Sequence, residues 1–157
     1  MSETLVAPGL VPAITPEALA QISGVEEKMR SMPQIHVRTE HVFHAGMYAR
    51  TIRLAARVSI VSVLIKIPTM IVVNGICRVY AGDVWRDLEG FNVIPANAGR
   101  KMIYVTSTET QITMMFPSNA KSVEEAERQF TEDADMLLSR QCNDDLVTMT
   151  GVEPCQA

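Results

Sequence analysis

The sequence predicts a mainly β protein: one barrel or sandwich of short strands, with a helical arm before it and an amphipathic helix after it. Three observations carry this. From His36 to Phe116, runs of β-branched and aromatic residues are broken every few positions by glycine, proline, asparagine or aspartate. No helical period interrupts those runs, and strands without intervening helices close into a sandwich or barrel. At Ser122 the period switches from two to 3.6.

Taken in order, residues 1–14 read as an extended arm, because Pro8 and Pro12 remove backbone donors and fix φ. A short helix follows, with Thr15 as N-cap, Pro16 in the first turn, Glu17 beside it and Gly24 at the C-terminal end. It resumes through Glu26 to Arg30 until Pro33 stops it. Candidate strands lie near 36–43, 47–54, 58–65, 69–73, 76–80, 84–88, 91–94, 100–106 and 111–116, of which seven or eight are expected to form. Ala81-Gly82-Asp83 and Ser107-Thr108-Glu109 mark hairpin turns. Ser122-Val123-Glu124-Glu125 is a capping box. Behind it Val123, Ala126, Phe130, Ala134, Leu137 and Leu138 share one face, and Glu124 and Arg128 make an i,i+4 pair. The helix is expected to run to about Arg140. The domain division is therefore arm with short helix 1–35, barrel 36–117, amphipathic helix 118–141 and flexible tail 142–157.

Composition narrows the function classes. At 157 residues, 47% hydrophobic and 20% charged, the chain suffices for one self-supporting core. A net charge of -4 provides no positive field for the phosphate backbone, so nucleic acid is not an expected partner. Val58 to Ile76 is apolar, but Lys66 and Pro68 stand at its centre and Asn74-Gly75 ends it with a turn, so two strands are expected and no membrane span. The start, MSETLVAPGL, has no basic segment leading into an apolar one, so no secretory signal and a cytoplasmic setting are expected. Cys77, Cys142 and Cys155 form neither a disulfide framework nor a zinc pattern. Cys77, in an apolar strand, reads as a small hydrophobe.

The segment His41 to Ile52, with its Gly46-Met47-Tyr48-Ala49-Arg50 core, followed by Lys66, Gly75 and the run Gly90 to Gly99, resembles the small cupin-like proteins encoded by tailed phages and prophages. The resemblance spans roughly residues 36–140. It implies a single cupin-like jelly-roll barrel and a phage or prophage origin, either in the host cytoplasm or in the particle. Where the family carries histidines, this chain has Met70 and its neighbours after Lys66, and Asn92 and Lys101-Met102 in the later motif.

A metal centre needs two or three imidazoles converging with a carboxylate. His36, His41 and His44 all precede the Gly-x-Tyr-Ala-Arg strand, and Asp83, Asp87, Glu89 and Glu109 fall in or beside turns. On a strand the pair His41 and His44 points to opposite faces. No cofactor, metal or catalytic residue is expected. No G-x-S-x-G elbow, P-loop or GxGxxG occurs. The ten methionines, Met47, Met102, Met114 and Met115 among them, read as core filling.

Arg50, Lys66 and Arg100, with Tyr48 and Tyr104, sit in strands otherwise apolar, and Tyr48, Arg50, Ile52 and Leu54 alternate onto one face. Two readings stay open: a pocket for phosphate or carboxylate, or an arginine such as Arg50 paired with Glu109 or snorkelling at the barrel rim. The first functional expectation is a non-enzymatic protein acting by self-association and binding of other phage proteins, as a virion or assembly component. The second is capture of an anionic metabolite or nucleotide signal that counters a host response. A metal-dependent cupin enzyme is the third.

Overall fold

The computed structural model describes residues 9–140 and 145–151. Helix α1 (Pro16–Arg30) is followed by nine strands: β1 (Thr39–His44), β2 (Met47–Leu54), β3 (Ser59–Val61), β4 (Thr69–Asn74), β5 (Cys77–Ala81), β6 (Val84–Leu88), β7 (Phe91–Ala96), β8 (Ile103–Thr106) and β9 (Thr110–Pro117). Then come α2 (Val123–Phe130), two single 3₁₀ turns at Ala134–Met136 and Leu138–Arg140, and strand β10 (Leu146–Met149).

Strands β2 to β9 pair as nested hairpins: β5 with β6, β4 with β7, β3 with β8 and β2 with β9, all antiparallel. The doubled ribbon folds over into two sheets, ordered β10-β1-β2-β9-β4-β7 and β3-β8-β5-β6. This pairing is that of a jelly roll, and the fold class read from the sequence holds.

Alternation along each strand sorts side chains. Tyr48, Leu54, Ile71, Val73, Ile112 and Phe116 turn inward from the six-stranded sheet, facing Cys77, Val79, Met102 and Tyr104 of the other. The core has two parts. One fills the end beneath Val11 and Val37, and the other gathers Phe43, Tyr48, Phe116 and Phe130 under α2.

The arm closes the first end. The Val11 N–H donates to the Pro95 carbonyl at 3.0 Å and the Asn97 N–H to the Val11 carbonyl at 2.8 Å, so Val11 pairs in parallel beside the end of β7. Pro12 packs on the β5–β6 turn, where Gly82 and Asp83 both have positive φ, +59° and +65°. That is the two-residue turn compatible with strand twist. A Cβ on Gly82 would stand 2.6 Å from Pro12 Cγ, so glycine is required twice over. Thr15 caps α1 by accepting from the Ala18 N–H, and its hydroxyl donates to Asp83 at 2.9 Å.

Five expectations need correction. First, α1 runs unbroken through Gly24, because a single glycine costs a helix only about 1 kcal/mol. Second, α2 stops at Phe130: Thr131 is extended and its hydroxyl donates to the Leu64 carbonyl, tying the chain back to the barrel. The 118–141 helix is thus one helix of eight residues plus two 3₁₀ turns. Third, the segment 142–157 contains β10, which pairs in parallel with β1, so the described part of that tail belongs to the barrel. Fourth, the β3–β8 ladder stops at Val61 and Ile103; beyond it the Ser62 hydroxyl accepts from the Met102 N–H, and Ile65 and Arg100 meet in an isolated antiparallel bridge. Ten strands form rather than seven or eight. Fifth, Glu124 and Arg128 form no ion pair among the described residues. Cys142, Cys155 and Pro8 lie outside the described residues.

Candidate functional site

Between the two parts of the core lies a cavity of about 140 Å³. Its wall is built from Ile52, Ile71, Ile112 and Met114 of the six-stranded sheet and from Ile60, Met102 and Tyr104 opposite. Phe130, Met136, Leu137 and Leu138 close the side toward α2. Among the described residues the charged ones on this wall are Arg50 and Arg100.

Arg50 leaves β2 inward, as the alternation requires. Its Nη1 donates to Glu127 Oε2 and to Ser139 Oγ, each at 3.2 Å, and its guanidinium lies 5.8 Å from the centre of the Phe130 ring. The partner is thus Glu127, not Glu109. Glu127 is 1% exposed and also accepts from Ser139 Oγ at 2.6 Å and Arg140 Nε at 2.9 Å. One buried carboxylate holds two guanidinium groups, and the second is also 3.6 Å from Asp135.

Arg100 is 1% exposed and has no acidic partner among the described residues. Nη1 donates to the carbonyls of Ile67 and Asn97 at 3.1 and 3.0 Å, and Nη2 to Thr69 Oγ1 at 2.5 Å. A fourth contact, 3.6 Å from Nη2, is the Met114 sulfur, and Nε has no partner. Burial lowers the pKa of this guanidinium to about 10, so it remains charged at neutral pH. Tyr104 is buried against the same cavity, its hydroxyl donating to Met102 Sδ at 3.5 Å, and desolvation raises its pKa above the usual phenol range.

Tyr48 and Lys66 do not join them. The Tyr48 hydroxyl meets His41 Nδ1 at 2.7 Å, and its ring is enclosed by Phe43, Phe116 and Phe130. Burial pushes its pKa up to about 12. Lys66 is exposed and pairs with Glu132 at 2.6 Å, because it points outward from the segment whose neighbour Ile65 points in. The predicted five-residue site therefore resolves into Arg50, Arg100 and Tyr104.

His41 and His44 point to opposite faces, as a strand dictates. His41 is buried, with Nε2 3.2 Å from Asp145 Oδ2. Desolvation, with the Arg50 charge adding to it, lowers its pKa. The ring is neutral: Nε2–H donates to Asp145, and Nδ1 accepts from the Tyr48 hydroxyl. His44, outside, meets the Thr150 hydroxyl. Among the described residues no three histidine, cysteine, aspartate or glutamate side chains are grouped to hold a metal ion. Burial raises the pKa of the Cys77 thiol, consistent with an inert side chain. No helix among the described residues is long and apolar enough to cross a membrane.

Sequence reasoning missed Glu127, Ser139, Arg140 and Asp145. Glu127 did leave a signal: Val123, Ala126, Glu127 and Phe130 follow i, i+3, i+4, i+7, which puts a carboxylate on the buried stripe.

The class that fold and interior define is an eight-stranded jelly roll with extra strands at one sheet edge and an apolar cavity carrying two arginines. No protein-family model and no curated protein matches the chain. Solved structures similar to it include cupin domains. The cupin domain of an XRE family transcriptional regulator from Enterobacter cloacae is 15% identical over 53% of this chain and 99% of that one, with a TM-score of 0.44. A cupin 2 conserved barrel protein from Salinispora arenicola is 15% identical over 63% and 91%, at 0.44. The Cnp3 cupin domain of Schizosaccharomyces pombe is 13% identical over 64% and 72%, at 0.43.

Proposed function

We propose that the protein is a non-enzymatic assembly module that pairs with a second copy of itself through the outer face of its six-stranded sheet. The observation that carries this is a half-buried to exposed, nearly uncharged outer face across five strands. In register, Val42, Ala49, Met115, Met70 and Pro95 form one row, and Glu40, Thr51, Thr113, Val72 and Val93 the next. Phe91 is 69% exposed, Val93 53% and Met70 40%. The charged residues of the face, Glu40 and Arg53, pair with each other at 3.4 Å at its margin.

A face without net charge meets its own copy without repulsion. Six strands about 4.8 Å apart and roughly 20 Å long present about 500 Å². Two such faces bury about 1,000 Å², the lower bound for a specific interface. The face's exposed apolar side chains, Val42, Met70, Phe91 and Val93, make the kind of surface patch that often serves for interaction. The likeness of the Gly46 to Ile52 strand to phage-encoded jelly rolls supports a virion or assembly setting. Inside, both ring nitrogens of His41 are engaged by Tyr48 and Asp145, which supports a scaffold rather than a catalyst.

Light scattering coupled to size exclusion tests the reading. The wild type is expected to be a dimer at micromolar concentration, and the double variant Met70→Glu, Val93→Glu a folded monomer. A wild type that stays monomeric at high concentration refutes self-association. Absence from purified particles of a phage encoding it refutes the virion role.

A further inference from the structure

The cavity wall carries two guanidinium groups and no carboxylate. Arg50 is offset by Glu127, which it shares with Arg140. Arg100 is not offset at all: its acceptors are two carbonyls, a hydroxyl and a thioether, and its Nε is unpartnered. A buried charge without a counter-charge is costly unless something completes it. Nε is unpartnered and Nη2 meets only a hydroxyl and a thioether, and these two nitrogens form the side edge of the guanidinium fork, the edge that takes a carboxylate in bidentate fashion.

The thioether beside Nη2 is that of Met114. Its sulfur is the 3.6 Å contact of Nη2, and in the ladder Met114 is the direct cross-strand partner of Arg50. Both arginines thus flank one flexible side chain whose sulfur is a poor acceptor and which repacks readily. The rest of the cavity, walled by Ile52, Ile60, Ile71 and Ile112, is apolar. Its volume of about 140 Å³ is close to that of an engineered cavity known to take benzene, about 150 Å³.

We propose that this cavity is a binding site for a small organic carboxylate with an apolar body of about benzene size. The carboxylate displaces the Met114 sulfur and lies between Arg100 and Arg50, and the apolar body fills the isoleucine-lined space. The geometry favours a planar two-oxygen anion over inorganic phosphate, which leaves the apolar wall unfilled.

Benzoate and 3-methylbutanoate are the probes, with benzamide as the neutral shape control and inorganic phosphate as the bare anion. Thermal melting and titration calorimetry on the full chain are expected to show saturable stabilisation by the two carboxylates, because a ligand that binds only the native state raises its melting temperature. Benzamide should bind at least tenfold more weakly, phosphate should not bind, and Arg100→Met should weaken benzoate at least tenfold. If that variant does not fold, the wild-type comparison of benzoate with benzamide decides alone. The proposal is overturned if neither carboxylate acts at about 10 mM, well beyond a millimolar dissociation constant. Benzamide or phosphate matching benzoate overturns it equally, as does undiminished benzoate binding by a folded Arg100→Met protein. The test is independent of dimerisation, since the sheet's outer face and the cavity lie on opposite sides of the same strands.

Discussion

Replacing Glu127 by glutamine removes one negative charge from the most constrained polar cluster in the molecule. The carboxylate is 1% exposed and accepts from Arg50, Ser139 and Arg140 at 3.2, 2.6 and 2.9 Å. The amide keeps the volume but has only one acceptor oxygen, and it directs two donors at groups that are donors themselves. Arg140 can fall back on solvent and on Asp135, because its side chain is 25% exposed. Arg50, 11% exposed, has no second acid. Breaking a buried pair in this way costs about 3–5 kcal/mol. For a chain of this size each kcal/mol moves the melting temperature by about 2–4 °C, so the expected loss is about 6–20 °C. Calorimetry on Glu127→Met, Arg50→Met and the double variant Arg50→Met, Glu127→Met closes a cycle, with Glu127→Gln measured beside it. The double variant should be at least about 2 kcal/mol more stable than the sum of the single losses, because an apolar pair leaves no buried charge behind. A loss below about 2 °C for Glu127→Gln, or strict additivity, would refute the assignment of this cluster as a stabilising network.

Three further outcomes follow from other parts of the structure. His41 has a lowered pKa in the fold, so the unfolded chain binds more protons below about pH 6.5, and its contribution is present above that pH and lost as pH falls toward the folded value. Stability by urea titration should therefore drop between pH 7.5 and 5.5, and the drop should shrink in His41→Gln. Ala45 adopts φ +51° in the two-residue β1–β2 turn ahead of Gly46, so Ala45→Asn, which creates the Asn-Gly pair favoured there, should raise stability by about 0.5–1 kcal/mol in the same assay. Gly82→Ala places a methyl group against Pro12, so limited proteolysis should cut the arm around Val11 faster than in the wild type while the β2–β9 ladder stays protected from hydrogen exchange.

What was legible in the sequence was local. Val-Ile-Thr runs with alternating burial, the Gly82-Asp83 turn and the Ser122 cap are each settled by neighbours within a few residues, and each stands as read. The misreadings are long-range. Thr131 continues a helical stripe in sequence, but a carbonyl 67 positions away recruits its hydroxyl. Leu146 to Met149 is exposed on both faces and shows no alternation, so only its pairing with β1, more than a hundred residues earlier, reveals a strand. Arginine in an apolar run was visible, yet its partners were not. Arg50 finds Glu127 on α2, and Arg100 finds backbone carbonyls that no sequence pattern displays.

The nesting of the hairpins governs how the molecule must come together in time. The inner pair, β5 with β6, closes over a two-residue loop, whereas β2 cannot meet β9 until residues 110–117 exist. Loop-closure entropy is thus spent well before the outer ladder returns any energy, which assigns the chain to the slow, millisecond-to-second range of folding. Throughout that interval the Met47 to Leu54 segment has β1 on one edge and its other edge unpaired, open to stray partners during synthesis.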